Sequence, residues 1–122
     1  MMLVLAIVTS AVALGWMILR SRDALRHFAR HERLPMQWGL DGSPTWRAPR
    51  TIALFFTPAL AAASLAIPLG LFAAVPAGSA RTGESDAALL TVTLGMALAY
   101  AAAHAGHLWA IGRWDRAQKT RP

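Results

Sequence analysis

Three stretches of this chain carry no Asp, Glu, Lys or Arg: residues 1–19, 51–80 and 87–112. Crossing a hydrocarbon core takes about 20 apolar residues at a rise of about 1.5 Å each. Each stretch supplies that length, so the pattern predicts three transmembrane helices, over about 2–19, 51–77 and 87–111. Between the first two, residues 20–33 keep a helical period but change chemistry. Arg22, Arg26, Arg30 and Arg33 recur every three or four positions, while Leu25 and Phe28 mark an apolar side. That spacing predicts an amphipathic extension of the first helix, its lipid-facing basic patch lying at headgroup level.

Leu34-Pro35 ends the helical pattern, because proline disfavours helical geometry in the residue before it. Gly39, Asp41-Gly42, Pro44 and Pro49 then exclude a long helix up to Arg50. Two short extended arms closed by a tight turn at Asp41-Gly42, with Trp38 and Trp46 at the membrane surface, is the simplest reading. Pro58 and Pro68 fall inside the second span and free the carbonyls of Leu54 and Ser64. The intervening small residues allow another helix backbone to approach closely. A short loop over 78–86 and a basic tail over 113–122 complete an all-α membrane protein of one domain, residues 1–122.

Composition fits that class. Apolar residues make up 56% of the chain and charged ones 15%, against roughly 25% charged in soluble domains. The net charge of +6 does not point to nucleic acid, because the bases sit at helix ends. Seven arginines lie in 20–50 and four Lys or Arg in 113–122, against Arg81 alone in 78–86. Lys/Arg-rich loops stay in the cytoplasm, which predicts an outside N-terminus, with the long loop and the C-terminal tail inside. Ala11-Val12-Ala13 has the form of a signal-peptidase site. The bases follow this apolar run rather than precede it, however, so it is read as a retained helix. Cysteine is absent, which removes disulfides and thiolate metal ligands.

The segment from Leu34-Pro35 through Trp38, Gly42 and Pro44 to Arg50 resembles a bacterial membrane family. This is the domain of unknown function found at the N-terminus of SdpI-type immunity and signalling proteins. Gln37 stands where that family more often has His. The resemblance covers about a third of the chain and implies a small bacterial inner-membrane protein, with no catalytic residue to carry over.

Two histidine pairs are the candidate metal or haem ligands: His27 and His31, four apart, and His104 and His107, three apart. Positive charge around the first pair argues against a metal, and no metal or cofactor is expected. In the third span Thr93, Tyr100, His104 and His107 share a helix face, and Tyr100, His104 and His107 form a candidate functional stripe. Depth matching predicts that this stripe faces the second helix, with His104 bonded to Thr57 or to the freed Leu54 carbonyl. No nucleophile with an adjacent base, and no phosphate-binding glycine loop, supports an enzyme. The expected role is a non-enzymatic accessory or regulatory membrane subunit. Its expected partners are anionic lipids and another membrane protein or a second copy. The alternative is a transport or cofactor-binding unit centred on His104 and His107.

Overall fold

The computed structural model describes residues 1–75 and 82–121. The predicted end of the second span at 77, residues 78–81 of the predicted loop and the last residue of the tail lie outside them. Helix α1 spans Met2–His27, strands β1 and β2 span Arg33–Trp38 and Pro44–Pro49, and helices α2 and α3 span Arg50–Ala74 and Gly83–Lys119. All three helices are long and apolar enough to cross a membrane.

The helices pack along seams written in the sequence. Buried positions on α1 are Ala6, Ser10, Met17, Ser21 and Ala24. On α2 they are Ala53, Leu54, Pro58, Ala61, Leu65, Pro68 and Phe72, and on α3 Thr93, Ala97, His104, Leu108, Ile111 and Asp115. Most intervals are three, four or seven residues, the spacing that keeps one face against neighbours. Alanine and serine supply much of the seam, while Val8, Val12, Ile52, Phe56, Ile67 and Leu98 point outward. Lipid chains are as apolar as leucine, so outward apolar residues gain little by burial and close helix contact rests on small residues. Both prolines lie on the buried seam of α2, which runs unbroken through them.

The structure amends the expected all-α class by one element. Antiparallel β1 and β2 form a two-stranded sheet, with Leu34 opposite Ala48 and irregular register around Gln37. Gly42 closes it at φ 81°, a left-handed geometry that favours glycine. Asp41 Oδ1 accepts from the Ser43 N–H at 3.1 Å and from its hydroxyl at 2.7 Å. Those bonds hold the Asp41 carboxyl below the usual carboxylate range. The hairpin closes one end of the bundle: Leu34 and Ala48 join Ala24, Phe28, Ala53, Leu54, Leu108 and Ile111 in one core.

Two predicted boundaries move. The amphipathic extension stops at His27, because Phe28 turns into the core and Leu34-Pro35 requires extended backbone. Arg30 therefore sits in a turn and Arg33 on a strand, so the four arginines do not share one helical face. The predicted tail, by contrast, is mostly helix. At 37 residues α3 measures roughly 55 Å, well beyond a hydrocarbon core of about 30 Å. Its start is fixed by a reciprocal cap: Thr82 Oγ1 accepts from the Ser85 N–H and Ser85 Oγ from the Thr82 N–H, each at 3.0 Å. Glu84 and Asp86 in its first turn and Arg116 and Lys119 in its last complement the helix dipole.

Candidate functional site

A polar layer joins the three helices near the hairpin end. Pro58 has no N–H to give the Leu54 carbonyl, and Ser21 of α1 donates there instead, at 2.6 Å. With that hydrogen committed, Ser21 Oγ meets His104 Nε2, 3.0 Å away, only as an acceptor. His104 Nε2 is also 3.2 Å from the Met17 carbonyl. Both neighbours need a donor, so in the neutral ring Nε2 carries the hydrogen and Nδ1 is left as an acceptor. Among the described residues Nδ1 has no hydrogen-bond partner although it is buried, and neither has Ser10 Oγ. One turn on, His107 donates from Nε2 to the Ala53 carbonyl at 3.2 Å. Toward the other end, Tyr100 and Ser64 share a hydroxyl–hydroxyl bond of 2.7 Å.

The predicted stripe thus lies inside the bundle, and its partners differ in part from those expected. Tyr100 and His107 bind α2, but His104 binds α1. Ser21, a small seam residue, stands between the imidazole and the Leu54 carbonyl that was expected to receive it. Thr93 is buried and bonds within its own helix, to the Leu89 carbonyl at 2.8 Å.

Beyond the layer, Asp115 organises a second cluster. Its side chain is 3% exposed. Oδ1 accepts from Arg30 Nε at 3.1 Å, from Arg30 Nη2 and from His31 Nε2 at 2.7 Å. Lys119 Nζ lies 3.3 Å from Oδ2, one turn along α3. Arg30 also reaches the Asp115 carbonyl at 3.2 Å. Burial alone would raise the Asp115 carboxyl, but the bonds from Arg30, His31 and Lys119 outweigh it and hold the group well below the carboxylate range. The cluster ties the turn after α1 to the end of α3. Arg50 secures the other side of that turn, its Nη1 donating to the Ala29 and His31 carbonyls at 2.7 and 3.0 Å.

The basic patch is dispersed by this arrangement. Arg30 is held by Asp115, and Arg33 donates to the Arg47 carbonyl at 2.9 Å. Arg22 and Arg26 remain exposed on α1, outside the ion pairs formed among the described residues. The histidines separate as well. His27 meets Phe28 edge-on with ring centroids 4.8 Å apart, and His31 leans on Trp114 at the same distance. Among the described residues no three His, Asp or Glu side chains gather as metal ligands do. Of the resemblance motif, Leu34, Pro35 and Trp38 lie on β1, Pro44 on β2 and Gly42 in the turn between them.

Sequence reasoning passed over Asp115 and Ser21. The signal for Asp115 was the lone carboxylate of the basic tail, four residues before Lys119 and available to an arginine-rich turn. For Ser21 it was a small hydroxyl in register with Met17 and Ala24 on α1. Compared with protein-family models, curated proteins and solved structures, the chain shows no match.

Proposed function

We propose that this chain is a non-enzymatic accessory or regulatory subunit of the bacterial inner membrane. In this reading its N-terminus lies outside, and its hairpin and the end of α3 lie in the cytoplasm. One observation carries the reading: the polar side chains between the helices bind helix to helix. His104 and Ser21 join α1, α2 and α3, and His107 and Tyr100 join α3 to α2. Such bonds set the packing of a small bundle rather than line a path. The arginine asymmetry supports the orientation, and the resemblance to the SdpI-type N-terminal domain accords with a bacterial inner-membrane location. The outward faces of α2 and α3, with Ile67 and Leu98 exposed, are where another membrane protein or a second copy would pack.

The test is photocrosslinking in native membranes from single positions on each outward face. A discrete protein adduct from one face, with lipid adducts from the others, supports an accessory subunit. Lipid adducts alone from all three faces contradict it. His104 Nδ1 and Ser10 Oγ, buried with no hydrogen-bond partner among the described residues, favour a second reading, a transport unit completed by oligomerisation. That reading requires ion flux in proteoliposomes that is lost in His104→Ala.

A further inference from the structure

A groove of about 620 Å³ runs between the hairpin and the last turns of α3. Trp38 and Arg47 line it from the hairpin, Trp109, Arg113 and Trp114 from the helix, and Arg121 from the segment just past its end. Its one carboxylate, Asp41, is occupied by Ser43. The three arginines form no ion pair among the described residues. The Arg47 guanidinium sits 5.5 Å from the centre of the Trp114 ring, and that of Arg113 sits 5.6 Å from the Trp109 ring. An indole face holds a guanidinium in place without consuming its N–H donors, leaving the planar fork free for phosphate.

The groove also has a wet end and an apolar end. Trp109 is 61% exposed and continues an outward stripe of α3 through Leu98, Ala102 and Ala105. Arg113 lies one turn farther on, about 6 Å along the axis. Tryptophan at headgroup level with arginine just beyond it matches the order of acyl chain and phosphate in a lipid leaflet. A soluble anion would need the arginines but not the apolar stripe.

We infer that this groove is a binding site for an anionic phospholipid, its phosphate between Arg47 and Arg113 and an acyl chain along the stripe ending at Trp109. The inference rests on the reading above that α3 crosses the membrane, and it locates lipid recognition away from Arg22 and Arg26. A basic site of this kind selects anionic over zwitterionic headgroups.

The test uses the full chain in lipid nanodiscs with a phosphatidylglycerol that carries a photoreactive headgroup. Crosslinks in the wild-type protein are expected at 44–47 and 109–114. In native mass spectra, Arg47→Gln with Arg113→Gln should hold about tenfold less phosphatidylglycerol, while Arg22→Gln with Arg26→Gln should hold as much as wild type. Crosslinks confined to other segments would overturn the site, as would equal retention of phosphatidylcholine or an equal loss in the Arg22/Arg26 variant. Displacement of the lipid by glycerol phosphate would reassign the groove to a free anion. Failure of the wild-type chain to enter nanodiscs would instead remove the membrane reading on which the site rests.

Discussion

Replacing Asp115 should loosen the hairpin end of the bundle while leaving the far end intact. The magnitude follows from exposure. Arg30 and Lys119 are 46% and 54% exposed, so without the carboxylate both can turn to water. Pairs of that kind contribute about 0–1 kcal/mol each. His31 is only 17% exposed and would lose its acceptor inside the fold, at a cost of about 1–2 kcal/mol. Asp115→Ala should therefore destabilise the protein by about 1–4 kcal/mol in total. Asp115→Asn keeps an acceptor and should cost about half as much, and Lys119→Ala less than about 0.5 kcal/mol. Reversible unfolding in mixed detergent micelles gives these differences, and amide exchange locates them. Faster exchange is expected from Phe28 to Trp38, with none added near Thr93. Asp115→Ala within about 0.5 kcal/mol of wild type, or no more costly than Lys119→Ala, would refute the view that this carboxylate anchors the turn.

The same group makes stability depend on acid. Its carboxyl is depressed in the folded state, so its contribution is complete above the unfolded value of about 3.9 and fades as pH falls below it. Melting in detergent should weaken below about pH 4 in wild type and show a shallower slope in Asp115→Asn; identical slopes would contradict the assignment. In the polar layer, Ser21→Ala strips the Leu54 carbonyl of its donor and should cost about 1–2 kcal/mol. Pro58→Ala restores an N–H to that carbonyl, so adding it should erase most of the Ser21→Ala cost in a double-mutant cycle, and simple additivity would exclude the substitution of one donor for another.

What could be read in advance divides along physical lines. Hydrocarbon imposes a length and an absence of charge, so the three helices were legible as uncharged runs. Asp41-Gly42 was legible as a turn because glycine favours the φ of 81° found at Gly42. Pro58 announced an open carbonyl at Leu54, since a missing N–H is a local fact of covalent structure. The donor that fills the gap was not legible. Whether Ser21 of α1 or His104 of α3 reaches that carbonyl depends on how three helices rotate together, which no single helix encodes. The Arg22–Arg33 periodicity misled for a related reason. Helical spacing continued through Arg30 and Arg33, but burial of Phe28 and the pull of Asp115, 85 residues from Arg30 along the chain, end the helix first.

The central claim is a three-helix membrane bundle with its hairpin and the end of α3 on the cytoplasmic side. The chain has no cysteine, so single cysteines can report on it without background. Leu40→Cys at the hairpin tip, Gly83→Cys at the start of α3, Leu98→Cys on its outward face and Thr120→Cys at its end sample the four positions that matter. With a membrane-impermeant thiol reagent on intact cells, Gly83→Cys should label at once. Leu40→Cys and Thr120→Cys should label only after permeabilisation, and Leu98→Cys under neither condition. Labelling of Leu40→Cys and Thr120→Cys from opposite sides, or ready labelling of Leu98→Cys, would contradict the account.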